Sequence, residues 1–197
     1  PMGLILPSLN SELEGPALQN IIAELKHVPF LSQITIGLDR ADESQYRHAL
    51  QFFAELDQPH KVLWYDGPRL QALDKELQKL GVGPRELGKG RNVWYCMGYK
   101  LATSKVESIA LHDCDILTYD RALLARLIYP VAHPRFNYEF CKGFYPRTAE
   151  GKINGRVSRL LVTPLLRSFK TILGSNDYLE YMDSFRYPLA GEFSFRR

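Results

Sequence analysis

Asp113-Cys114-Asp115 places two carboxylates around one residue, directly after the apolar run Ser108-Ile109-Ala110-Leu111-His112. Such a pair can share a hard divalent cation through oxygen ligands. Mg²⁺ or Mn²⁺ held this way keeps several waters and bridges substrate phosphates. The cation then acts as a Lewis acid toward a departing diphosphate. An ordinary exposed turn can show the same spacing, so the strand before the pair and its neighbours decide the reading. Gly88-Lys89-Gly90 sets a lysine between two residues that let the backbone approach a ligand closely, and its ammonium suits a phosphate oxygen. The pattern GxxxxGK[ST] is absent, so this is not a P-loop.

Gly155-Arg156-Val157-Ser158 reads as the opening of a helix. Free N–H groups there, with Arg156 and the Ser158 hydroxyl, suit a carboxylate or phosphate; plain capping beside a surface arginine is the equal alternative. Pro188-Leu189-Ala190-Gly191-Glu192 forms a loop whose glycine would bring Glu192 close to a ligand, although spacing alone favours a solvated glutamate. His112 adjoins the acidic pair, but strand alternation turns it to the face opposite Asp113, as a core histidine. No Ser-His-Asp or Cys-His spacing argues for covalent hydrolysis.

These residues need elements to position them. Gly3 to Pro7 reads as a buried strand ended by proline, followed by a helix from Pro16 to Lys26. A strand at Gln33–Leu38, a helix at Ser44–Leu56, a strand at Lys61–Tyr65 and a helix at Leu70–Leu80 follow. A loop through Gly88-Lys89-Gly90 leads to a helix from Asn92 to Ser104 and the strand before Asp113. Beyond it come helical Ala122–Leu127, a strand at Asn137–Tyr145, and a helix from Gly155 to Phe169 interrupted at Pro164. The close of the chain, Phe195-Arg196-Arg197, suggests no terminal element. Alternation at this spacing predicts a parallel α/β sheet, whose ligands bind beyond the carboxyl ends of the strands. Pro7 to Glu12, Asp39, and Asp113 to Asp115 all fall at such ends, and that coincidence outweighs any one of them.

The 197 residues suffice for one domain with a full core, and 45% hydrophobic with 24% charged residues is a globular composition. A net charge of +3 demands no nucleic acid or membrane surface as partner. No apolar run approaches the ~20 residues of a membrane helix. Cys96, Cys114 and Cys141 form no CxxC pair, and their odd number predicts a reducing, cytoplasmic setting.

In this order the clusters resemble the GT-A glycosyltransferases, and within them the glucosyl-3-phosphoglycerate synthases. The broader likeness rests on Leu6-Pro7-Ser8-Leu9-Asn10-Ser11-Glu12, Gly88-Lys89-Gly90 and Asp113-Cys114-Asp115. The narrower one rests on Lys142-Gly143-Phe144-Tyr145-Pro146-Arg147, then Gly155 to Leu160, Pro164-Leu165-Leu166, and Pro188 to Glu192. The resemblance implies one α/β domain over 1–197 of GT-A (Rossmann-like) type, a nucleotide-sugar-binding fold with a mostly parallel central sheet flanked by helices. It implies a metal-dependent transfer of glucose, with retention, from UDP- or GDP-glucose to 3-phosphoglycerate. Pro7, Leu9, Asn10, Glu12, Asp39 and Lys89 would bind the donor nucleotide. Asp115 and Asp113 would hold Mg²⁺ or Mn²⁺, and Asp113 and Glu192 would serve the reacting sugar. Gly155, Arg156, Val157 and Ser158 would bind the small anionic acceptor. The leaving phosphate would help deprotonate the acceptor, so no protein nucleophile is required.

Three departures stand out. The strand end after Ile36 reads Gly37-Leu38-Asp39-Arg40 in place of a Ser/Gly-rich turn, and Ser158 replaces a threonine. The family also continues past the Gly-Glu motif and supplies a histidine ligand there, whereas no histidine follows His133 here. The domain is therefore expected to be incomplete at its C-terminus. A transferase for another sugar or acceptor, such as mannose or glycerate, and a non-catalytic nucleotide-sugar-binding fragment stay open as alternatives, as does a homodimer.

Overall fold

The protein is described by a computed structural model that covers 1–197 except Ser104, 145–147, 150–151 and 154–155, and omits side chains at 148–149 and 152–153. It divides into two compact units, Pro1–Cys141 with Ser194–Arg197, and Lys142–Phe193.

At the centre of the first unit is β1 (Met2–Leu9), buried continuously from Gly3 to Ser8. It pairs in parallel with β2 (Leu31–Asp39) on one side and β4 (Ser108–Leu111) on the other, and β3 (His60–Trp64) extends the parallel array beyond β2. With β5 (Phe140–Lys142) and β8 (Phe193–Arg196), the strand order is β3-β2-β1-β4-β8-β5. A strand covered on both faces must be apolar throughout, which is why Leu4, Ile5 and Leu6 run together. The expected parallel α/β sheet is present.

Helices fill the connections. α1 (Pro16–Leu25) starts at a proline, where a missing N–H costs nothing, and buries Leu18, Ile21, Ile22 and Leu25 at helical spacing. α2 (Glu43–Phe53) begins at Asp42, whose carboxylate accepts from the Gln45 N–H at 2.8 Å, and buries Ala49 and Phe53. α3 (Pro68–Lys79) buries no residue at all. Asp74 moors it instead, accepting from Arg91 Nη2 at 2.9 Å and Tyr95 Oη at 2.5 Å. Those partners lie on α4 (Lys89–Thr103), and the Arg91 guanidinium also stacks 4.4 Å from the Tyr65 ring. α5 (Arg121–Ala132) is capped by Asp120, continues through Pro130, and buries Leu124, Leu127, Ile128 and Val131.

Three sequence expectations are corrected here. β1 does not stop at Pro7, which pairs in register with Gly37. The Ile5 carbonyl accepts from the His112 N–H on the β4 side, so the missing N–H of Pro7 faces the same side, where the β1–β4 pairing has ended at Leu111. No ladder bond is lost. α4 begins at Lys89 rather than Asn92, so Lys89 and Gly90 belong to a helical turn, not a loop. The chain's end is not structureless either, since β8 enters the sheet next to β4, where Ser194 Oγ donates to the Leu127 carbonyl at 2.6 Å.

The second unit carries the short antiparallel pair β6 (Thr148–Ala149) and β7 (Lys152–Ile153). A five-residue π-helical stretch, Ser158–Val162, runs into α6 (Thr163–Leu173), and α7 (Asp177–Ser184) follows. Pro164 lies in the first turn of α6, directly after the π-helical stretch, so the helical run is irregular next to the proline. Lys170 joins α6 to α7 through Glu180 at 2.8 Å and Asp183 at 3.0 Å.

A side chain of α4 fastens that helix to the sheet. Asn92, 4% exposed, donates through Nδ2 to the Gly37 carbonyl at 2.9 Å. A Cβ at Gly37 would stand 1.7 Å from Asn92 Oδ1 and 2.6 Å from Cys96 Sγ, so only glycine fits under α4. Gly37→Ala should therefore cost about 2–4 kcal/mol in urea unfolding, through a displaced Asn92 and an unpaired carbonyl. Gly98, inside α4, is the opposite case, because a Cβ there would meet nothing within 4 Å. Gly98→Ala should stabilise the chain by about 1 kcal/mol in the same measurement.

His112 is wholly buried, edge-on to Tyr119 at 5.3 Å, with neither ring nitrogen hydrogen-bonded among the described residues. Burial lowers its pKa from the usual 6.5 to about 3. The unfolded chain then binds a proton that the folded chain refuses, so this stability is complete above pH 6.5 and drains away toward pH 3. His112→Leu should flatten the fall in urea midpoint between pH 7 and pH 5, a slope of up to about 1.4 kcal/mol per pH unit in the parent chain.

Candidate functional site at the carboxyl ends of β1, β2 and β4

The chain passes outward from β1 to β2 and β3, then returns through α4 to β4 on the other side of β1. That reversal opens a crevice at the carboxyl ends of the strands, the position at which such sheets receive ligands. A cleft of roughly 290 Å³ lies there. β1 and the following turn contribute Pro7, Ser8, Leu9 and Glu12; β2 contributes Asp39 and Arg40. Gly88, Lys89 and Asn92 come from the start of α4, and Asp113, Cys114 and Asp115 follow β4. A larger hollow of about 510 Å³ along β3 has no carboxylate in its lining.

Most of the residues singled out from the sequence in this unit meet in this cleft: Pro7, Leu9, Glu12, Asp39, Lys89, Asp113 and Asp115. Asn10 does not line it. It opens the 3-10 turn Asn10–Glu14, which instead turns Glu12 inward, its Oε2 accepting from the Leu9 N–H at 2.9 Å. Burial raises the Glu12 carboxyl above its usual range. The Leu9 N–H and the Ser8 hydroxyl oppose that rise, while Asp115 and Asp113 add to it. Lys89 Nζ donates to Asp113 Oδ1, joining the α4 start to the β4 end. Cys114 is buried and its thiol is pushed well above the ordinary value, chiefly by burial, so it offers no thiolate.

Arg40 and Asn92 carry no role in the sequence reading, yet both line the cleft. Arg40 adopts φ 57°, and its N–H donates to Asp39 Oδ1 at 3.0 Å. The next residue, Ala41, is held from both sides: its N–H donates to Asp66 Oδ2 at 3.0 Å and its carbonyl accepts from Trp64 Nε1 at 2.7 Å. A non-glycine residue in the left-handed region is uncommon, and this brace is what maintains it. The unusual Asp39-Arg40 strand end is the available signal for Arg40. Asn92 has none, because its role depends on Gly37 lying opposite.

The remaining candidates lie in the second unit. Arg156 and Val157 are exposed, Ser158 is buried, and Gly155 lies outside the described residues, as do Tyr145, Pro146 and Arg147. Glu192 is 1% exposed, and its carbonyl accepts from the Gly143 N–H at 2.8 Å. Lys142 Nζ donates to the Ala190 carbonyl at 2.8 Å; burial lowers its pKa and Glu192 opposes that. A Cβ on Gly143 would come 3.1 Å from Glu192 Cβ, which accounts for a glycine in the Lys142-Gly143 pair.

The cleft's acidic set, Glu12, Asp39, Asp113 and Asp115, offers carboxylate oxygens and suits a hard cation rather than a thiophilic one. Among the described residues, however, no three His, Cys, Asp or Glu side chains converge into a ready metal cage. Two carboxylates completed by water and a ligand's phosphates is the arrangement that this donor set can supply, and one typical of Mg²⁺-like ions.

No family model matches the sequence. The glucosyl-3-phosphoglycerate synthase of Persephonella marina is 49% identical over 196 residues, spanning 100% of this chain and 48% of that protein. That of Methanococcoides burtonii is 40% identical over 197 residues, spanning 98% of this chain and 48% of that protein. A crystal structure of the Mycobacterium tuberculosis glucosyl-3-phosphoglycerate synthase, in complex with Mn²⁺, UDP and glucosyl-3-phosphoglycerate, superposes with a TM-score of 0.63 at 19% identity. That match covers 99% of this chain and 56% of the other, and shows that the fold is shared. The chain thus spans about half the length of the curated relatives it matches. Over its whole length it is a homologue of the glucosyl-3-phosphoglycerate synthases, with a fold of the GT-A type.

Proposed function

We propose that the chain contributes the donor site of a metal-dependent glucosyltransferase, which moves glucose with retention from UDP- or GDP-glucose to 3-phosphoglycerate. The observation that carries this reading is the cleft at the strand reversal, where Asp113, Asp115 and Lys89 face one another at the end of β4. Charges of both signs at one strand end suit a metal-bridged diphosphate better than either charge alone. The Mycobacterium tuberculosis synthase binds UDP and Mn²⁺, which supports the same ligand classes here.

In this reading Pro7, Leu9, Glu12 and Asp39 hold the nucleotide, with Asn10 shaping their turn, and Lys89 meets the diphosphate. Asp115, with Asp113, holds Mg²⁺ or Mn²⁺, whose chemistry is to stabilise negative charge on the leaving diphosphate. Glu192 faces the donor sugar, and Gly155, Arg156, Val157 and Ser158 bind the acceptor's phosphate and carboxylate. The buried thiol of Cys114 leaves the cleft without a cysteine nucleophile, in keeping with transfer on one face of the sugar. The protein's part is orientation and electrostatics, with the leaving phosphate taking the acceptor's proton. Three free cysteines fit a reducing cytoplasm.

Calorimetric titration with UDP-glucose and GDP-glucose, with and without Mg²⁺, tests the donor site. One of the two nucleotides should bind with metal assistance, and Asp115→Ala should weaken that binding by about tenfold or more. If neither nucleotide binds under any metal condition, the assignment fails. A separate titration with 3-phosphoglycerate addresses the acceptor: Arg156→Ala should weaken it by about tenfold or more while leaving donor affinity within about twofold. Equal damage to both ligands would remove Arg156 from the acceptor site.

A further inference from the structure

We propose that Lys89 serves as the resident counter-cation of Asp113 while the cleft is empty, and is exchanged for a divalent metal when the donor enters. Metal and diphosphate binding are then coupled through one side chain. The inference rests on the donor-site reading of the cleft and adds an order of events to it.

Glu12, Asp39, Asp113 and Asp115 bring four carboxylates to the cleft against two cationic side chains, Arg40 and Lys89. Of those two, Lys89 is the one that forms an ion pair among the described residues, and its partner is Asp113. The ammonium therefore holds the carboxylate that a metal ion would require. Two cations on one carboxylate repel each other across a few ångström, so each weakens the other's hold there. A metal arriving at Asp113 therefore favours departure of the lysine, and a lysine that stays weakens the metal.

The surroundings determine where the lysine can go. Its helix cannot shift, because Arg91 is fastened to Asp74 and Asn92 to Gly37 within the next turn. Its side chain can: it is 49% exposed, against 21% for Asp113, and a lysine stem has four flexible carbons. The released ammonium thus remains at the cleft, within reach of a diphosphate bound beside the metal. A phosphate oxygen there replaces the carboxylate that it has lost. Each ligand then favours the other by the same factor, as linkage requires.

Manganese titration of the 197-residue chain and of Lys89→Met and Lys89→Arg variants tests this, first without nucleotide and then with saturating UDP-glucose. Lys89 is exposed at a helix start, so neither change threatens the fold. Without nucleotide, Lys89→Met should bind Mn²⁺ about five- to tenfold tighter than the parent, and Lys89→Arg should match the parent. With UDP-glucose saturating, the three affinities should converge to within about twofold, since the phosphate has then taken up the cation. An unchanged or weaker Mn²⁺ affinity in Lys89→Met overturns the exchange. So does an advantage that persists undiminished in UDP-glucose, which would mark a general charge effect. If the parent chain binds neither UDP-glucose nor GDP-glucose, the donor-site reading falls and the coupling falls with it. A parent that binds UDP-glucose while Lys89→Met leaves Mn²⁺ affinity unaltered removes the exchange alone.

Discussion

The burial of β1 between two parallel neighbours is the constraint on which the rest of the protein depends. β2 on one side and β4 on the other take up its backbone, and burial of both its faces leaves only apolar side chains between Gly3 and Leu6. The first chance for β1 to carry chemistry comes where β4 stops pairing, after Ile5 and Leu111. Ser8 of β1 and the acidic residues that follow β4 accordingly collect at one end of the sheet. A cleft at that end is a geometric result of reversing strand order around a buried strand.

Helix α4 translates that geometry into electrostatics. It reaches the cleft with only its first turn, and it is fastened immediately behind that turn by Arg91 to Asp74 and by Asn92 to Gly37. The result is a fixed helix start presenting one long, movable cation to a group of carboxylates. Burial raises the pKa of Glu12, with Asp115 and Asp113 adding to the rise, and Lys89 offsets part of that negative charge through Asp113.

Much of this is readable from residue types alone. Apolar runs and helical spacing locate β1 to β4 and α1 to α3, since local pattern and tertiary burial agree there. Asp39 and Asp113 fall at predicted strand ends and Lys89 in the predicted loop before a helix, and all three line one cleft. What escapes a reading of the sequence depends on pairs of residues distant along the chain. Lys89 and Gly90 look like a loop until Asn92 and Arg91 anchor the helix around them. Phe193 to Arg196 has too little pattern to announce a strand, and becomes one because a place beside β4 is vacant. Arg40 needs the brace at Ala41 to hold its backbone, and nothing in its own neighbourhood of sequence foretells Trp64 Nε1 reaching there.

Pro7 gives the sheet a stop signal that operates on its neighbour. Because the proline offers no N–H toward the β4 side, β4 has no donor with which to extend its ladder past Leu111. The segment after His112 is obliged to peel away from the sheet at a defined residue, and it is that departure which frees Asp113 and Asp115 from strand geometry. A single imino acid in one strand thereby sets the length of the strand beside it, and keeps the mouth of the cleft from zipping shut as backbone.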